Sequence, residues 1–261
     1  MRTTLRQLVI FGGPLLVGTI NLMHPIITPP IYPRVTPHLH LWLHLHLLNL
    51  LLFPLLGFAA YLLIQDVRNP AATISRVAIA LFVPVYAAFD ALAGIGTGTL
   101  VSEARGLIGN ELAVAERLID AWWTNDLINA LAAAGSIAWV LAMFAATVAL
   151  TSPDRRRPIA GVVVVLFVVG GWARGHLFLA PDGVTITRAW WLLTLGMAAL
   201  MFLVGKPRMT GTLLILAGAF FGAYHVPPTG PLGATCFLAA AVVIELEKRK
   251  QRKMTSICGA V

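Results

Sequence analysis

The 261 residues are 58% hydrophobic and only 11% charged, with a mean hydropathy of +0.83 and a formal net charge of +8. Soluble domains carry roughly 25% charged residues, so this composition excludes an ordinary water-soluble fold and leaves an all-α, multi-pass membrane bundle, with the lipid bilayer as its first partner. The positive charge is spread over short connections and a C-terminal run, with no folded basic domain to hold it, which excludes nucleic acid as a partner.

Eight apolar segments follow in chain order, at about 7–24, 39–64, 76–100, 126–150, 158–180, 189–204, 210–225 and 231–246. Each is read as a helix, because lipid forces backbone groups to pair within their own segment. Proline marks the breaks: Pro25, Pro29 and Pro30, then Pro153 and Pro158, then Pro227 and Pro228. The N-terminal segment is expected to be a retained helix, since Asn21, His24 and Pro25 follow it in place of a small-residue cleavage site. Between the third and fourth segments, Leu107, Ile108, Leu112, Val114, Leu118 and Ile119 interleave with charges ahead of Trp122 and Trp123. That pattern predicts an interfacial helix over about 103–121, lying flat on the leaflet or capping the bundle. Residues 1–247 thus form a single transmembrane domain and 248–261 a basic tail. Cys236 and Cys258 fall at opposite ends of the last helix and its tail, so no disulfide is implied.

Orientation follows from arginine and lysine in short loops. With the N-terminus inside, only Arg34, Arg105, Arg117, Arg174 and Arg188 lie outside, and the remaining basic residues, Lys248–Lys253 among them, are inner. About eight spans with both termini cytoplasmic is therefore the expected topology. The compact size and lack of sorting tails point to a bacterial plasma (inner) membrane.

In that topology all seven histidines fall near the outer edge: His24, His38, His40, His44, His46, His176 and His225. On the second helix, sorted at 100° per residue, His38, Trp42, His46, Asn49 and Ala60 share one face. His40, His44, Leu47, Leu51, Leu55 and Leu62 share another. The leucine stripe suits lipid, so His46 and Asn49 are expected to point inward; the alternative is that His40 and His44 form an i, i+4 metal pair. On the third helix Tyr86, Asp90, Ala93, Gly94 and Thr97 share a face, and Asp90 lies deep in an apolar segment, where a carboxylate needs a partner, a proton or an ion. Glycines at 94, 96 and 98 admit a close neighbour.

Histidines around one carboxylate suit a transition metal: zinc, copper or iron, with haem a further option. The expected ligands are His24, His46, His176 and His225, with Asp90 as a catalytic base or ligand. Asn49, Tyr86 and Asn21 would support them, and Arg174 would hold a lipid headgroup or snorkel to the surface. The stretch Asp90-Ala91-Leu92-Ala93-Gly94-Ile95 faintly resembles the aspartate helix of the seven-helix membrane hydrolases that include alkaline ceramidases and progestin and adipoQ receptors. The chain departs from them in having Trp42, not serine, four residues before His46, no HxxxH on its last helices, and about eight expected spans. The residues therefore suggest a metal-dependent membrane enzyme acting on a lipid or other amphiphile, with a proton-coupled carrier or a non-catalytic subunit as alternatives. They identify no partner chain.

Overall fold

The computed structural model describes residues 3–151 and 209–258. The fifth and sixth apolar segments, with Arg174, His176, Trp190 and Trp191, lie outside the described residues. Among the described residues every element is helical. These are α1 (Thr3–Leu22), α2 (Ile31–Val35), α3 (Leu39–Ile64), α4 (Pro70–Asp90), α5 (Thr97–Glu103), α6 (Gly109–Trp123), α7 (Asp126–Leu150), α8 (Met209–Ala223) and α9 (Thr229–Cys258). A 3-10 turn, Thr36–His38, leads into α3, and a π-helical turn, Ala91–Gly96, joins α4 to α5. Five helical stretches among the described residues are long and apolar enough to cross a membrane: Thr4–Leu22, Ile31–Ile64, Pro70–Glu103, Gly109–Leu150 and Thr229–Gln251. The apolar α8 is shorter, at 15 residues.

Among the described residues, α1, α3, α4, α7, α8 and α9 form a ring in chain order. α1 packs on α3, α3 on α4, α4 on α7, α7 on α8, α8 on α9, and α9 closes back on α1. Lipid gives apolar side chains no reason to hide, so such a ring is held by close packing and by polar contacts between helices. Large apolar residues accordingly stay on the outside, Leu51 at 72% exposure and Leu8 at 64% among them. Inside, Phe53, Phe82, Tyr86, Trp139, Phe221 and Phe237 make a contiguous aromatic core.

One end of the ring is tied by charge and backbone acceptors. Arg6 donates to Glu245 Oε1 at 2.7 Å and to the Leu62 carbonyl at 3.1 Å, joining α1, α3 and α9. At the same end Asn69 caps α4 by accepting from the Ala72 amide, and its amide donates to the Ala149 carbonyl at 3.1 Å. The opposite end is covered by a second apolar cluster of Ile31, Val35, Leu39, Trp42, Val101, Ala104 and Ile119, contributed by α2, α3, α5 and α6. Asp120 of α6 caps α2 through the Ile31 amide at 2.9 Å.

Several boundaries differ from expectation. α4 begins at Pro70, not near 76, because Asn69-Pro70 is a capped helix start that hydrophobicity alone overlooks. The interfacial helix begins at Gly109, not 103, because Gly106 (φ 89°) and Gly109 (φ 57°) take left-handed backbone that breaks the run. The basic residues Lys248–Lys250 continue α9, which runs on to Cys258. On α3, Trp42, His46, Asn49 and Ala60 are buried while His40, His44, Leu47 and Leu51 are exposed. Three residues depart from the face rule, the first being Leu55, which is half-buried against the core beside Gly13. His38 is exposed because it sits in the 3-10 turn, where the angular step is larger. Leu62 is buried in the core cluster with Leu63 and Ile64, beneath Arg6, while Phe58 and Tyr61 keep the exposed side of this end.

Candidate metal centre

Three helices deliver one histidine each to the covered end of the ring. His24 follows the end of α1, His46 lies two turns into α3, and His225 follows the end of α8. Each offers a ring nitrogen, and these atoms lie within 4.8 Å of one another. All three residues are buried, as is Asp90 at the last residue of α4 (1% exposed). His24 stands edge-on to His46 and to His225, with ring centroids 4.9 and 5.1 Å apart. The Trp42 ring lies 4.3 Å from His46 and 5.3 Å from His24. Phe53, Tyr86 and Phe89 pack around His225.

The hydrogen bonds fix the tautomers. His24 Nδ1–H donates to the Pro25 carbonyl at 2.8 Å, and His46 Nδ1–H donates to the Trp42 carbonyl at 2.7 Å. A carbonyl only accepts, so each Nδ1 carries the proton and each Nε2 of the neutral ring carries a lone pair. Yet the two Nε2 atoms face each other at 3.3 Å. Two facing lone pairs, with no donor between them, are an arrangement that a cation stabilises. His225 completes the pattern: its Nδ1 meets the Tyr86 hydroxyl at 3.1 Å, and its Nε2 is buried with no hydrogen-bond partner.

Asp90 is equally unsatisfied. Oδ1 and Oδ2 are both buried without a hydrogen bond, and Oδ1 lies 4.0 Å from His46 Nε2. Asn49 is the donor beside the carboxylate, outside good hydrogen-bond geometry; one of its two amide N–H groups goes to Asn21 and the other is left for Asp90, while Asn21 donates back to Asn49 at 3.3 Å and to the Val17 carbonyl at 2.9 Å. This amide pair is fully buried and ties α1 to α3 directly beneath His24 and His46.

Gly94 makes the cluster possible. A Cβ at this position would stand 1.8 Å from His46 Cδ2, so the ring packs flat on bare backbone. Indoles donate to two carbonyls of the π-helical turn: Trp42 Nε1 to Gly94 O at 2.7 Å, an oxygen that also accepts from the Thr97 amide, and Trp122 Nε1 to Leu92 O at 3.0 Å.

Of the residues expected at the site, the structure brings together His24, His46, His225, Asp90, Asn49, Asn21 and Tyr86. His40 and His44 stay outside it: both are exposed, and His44 Nδ1 donates to the His40 carbonyl. His176 and Arg174 lie outside the described residues. The roles of Trp42, the Pro25 carbonyl and Trp122 went unread in the sequence, where a tryptophan between apolar residues signals only packing or an interface. Comparison with protein-family models, with curated proteins and with solved structures found no match, so the site is read from its own geometry.

Proposed function

We propose that this membrane protein holds a transition metal ion on His24 Nε2, His46 Nε2 and His225 Nε2, with Asp90 as a further ligand or as a base beside it. The observation that carries this reading is the pair of acceptor nitrogens facing each other at 3.3 Å. Metal–imidazole bonds of ~2.0–2.1 Å in tetrahedral geometry give an N···N separation of about 3.4 Å. The outer nitrogen of each ring is held by a carbonyl or a phenol, the usual way a ligating histidine is oriented. A flat haem has no room between His24 and His46 at that distance, which favours a bare ion. Zinc, copper or iron suits imidazole nitrogen with one carboxylate.

Three histidines and an open position are a hydrolytic arrangement, in which the ion lowers the pKa of a bound water to near 7. Asp90 would accept the proton of that water. The walls are aromatic and the site lies within the ring beneath α2 and α6, so the substrate class is an amphiphile that arrives through the membrane, a lipid with an ester or amide bond. In the orientation that the basic residues favour, the site lies near the non-cytoplasmic side, beneath the α2 and α6 cover.

Elemental analysis of the detergent-purified chain, beside His46→Ala and Asp90→Ala, tests the centre. Near-stoichiometric metal that falls in both variants supports it. Hydrolysis of amphiphilic esters and amides, lost with a chelator and restored by the ion, supports the enzyme reading. A second reading rests on Asp90: a buried carboxylate 4.0 Å from an imidazole also suits a proton relay in a carrier. Absence of metal before and after add-back would sink the metal centre and leave that reading.

A further inference from the structure

The π-helical turn between α4 and α5 sits at the hinge of the proposed centre. Asp90 is the residue immediately before it and Gly94, the bed of His46, lies within it. Such a turn holds one residue more than an α-helical turn, so its loss rotates Asp90 against the following residues by about 100°. What holds the turn is therefore what holds Asp90 at 4.0 Å from His46.

Two of its carbonyls accept from indoles of different elements. Trp42 belongs to α3, inside the ring. Trp122 belongs to α6, which packs on α2 and α5. The Trp122 ring also covers Gly96, the last residue of the turn, where a Cβ would lie 3.0 Å from it. Trp123 beside it approaches Trp42 at 6.0 Å between ring centroids.

We infer that Trp122 is a positioning residue of the proposed metal centre: its indole N–H on the Leu92 carbonyl holds the π-helical turn in register and so sets Asp90 against His46. The inference rests on the metal reading and adds that the docking of α6 and the affinity for metal are coupled. Loss of the N–H removes the tie between α6 and the turn, which then relaxes toward α-helix, swinging the carboxylate away.

The test is a competition titration of Zn(II), and of Co(II) for its visible spectrum, against a chromophoric chelator, on the full chain in detergent. Trp122→Phe keeps the ring and removes the donor. It is expected to weaken binding about tenfold, the lower end for loss of a group that orients a ligand, and to shift the Co(II) absorption. In an Asp90→Asn background the same change should add no more than about twofold, because two residues acting through one contact are not additive. Trp139→Phe is the control: it removes another buried indole bond, to the Ala217 carbonyl at 3.1 Å, in the aromatic core. Its affinity should stay within about twofold of the parent. Unchanged binding in Trp122→Phe, equal weakening in Trp139→Phe, or full additivity with Asp90→Asn would each overturn the positioning role while leaving the metal centre standing. Failure of the parent chain to bind either ion would overturn both.

Discussion

Replacing Gly94 with alanine strains the site directly with a single added methyl group. The added Cβ would lie 1.8 Å from His46 Cδ2, 2.2 Å from Cγ and 2.6 Å from Nε2. To reach an ordinary carbon contact of ~3.5 Å the ring must retreat by roughly 1.7 Å. It has little room, because the Trp42 ring stands 4.3 Å away. Turning aside breaks the bond from Nδ1 to the Trp42 carbonyl and carries Nε2 away from His24. Overpacking and one lost buried hydrogen bond together cost about 2–4 kcal/mol, a fall of roughly 4–16 °C in melting temperature for a chain of this size. Metal affinity should drop by at least about 100-fold, since the displaced group is a ligand and not merely its support. Gly12→Ala is the control: its Cβ would meet nothing within 4 Å, so it should be neutral or stabilising by up to about 1 kcal/mol. The assays are thermal unfolding in detergent and chelator competition. A Gly94→Ala protein that melts and binds metal like the parent would refute the packing on which the site is built.

Three further outcomes follow from single contacts. Tyr86→Phe removes the hydroxyl on His225 Nδ1 and should weaken metal binding by about tenfold with the helical content unchanged, as competition titration and circular dichroism would read. Asn49→Ala strips a fully buried Asn21 of its reciprocal partner and should cost about 1–3 kcal/mol; the Asn21→Ala/Asn49→Ala double variant should cost clearly less than the sum of the singles, and additivity would argue against the pair. Arg6→Ala leaves Glu245 nearly enclosed at the far end of the ring, with Lys248 still 3.7 Å away. The expected loss is about 2 kcal/mol, below the ~3–5 kcal/mol of a fully buried pair, with metal binding unaffected.

Much of this arrangement was legible in the chain. The bounds of α3 and α7 coincide with apolar segments read by hydrophobicity alone, because their few polar residues, His40, His44, His46 and Asn49 in α3 among them, do not outweigh the apolar run. The helical period placed His46 with Trp42 and Asn49 and set His40 and His44 apart, since one angular step governs a regular helix. The same rule failed at His38, which sits in a 3-10 turn, and at Leu62, which the core cluster takes in beneath Arg6. The tautomers, the π-helical turn and the service of Trp122 to it were not legible. They depend on which carbonyl lies opposite which donor, and no spacing in the sequence encodes contacts such as that between Leu92 and Trp122 across 30 positions.

The central claim is that three histidine Nε2 atoms share one metal ion. X-ray absorption at the edge of the metal that copurifies or is added back measures it most directly. The account predicts a first shell of about three imidazole nitrogens at ~2.0–2.1 Å with one oxygen, losing nitrogen in His46→Ala. A shell of oxygen alone, or one that is the same in the parent and in His46→Ala, would contradict it.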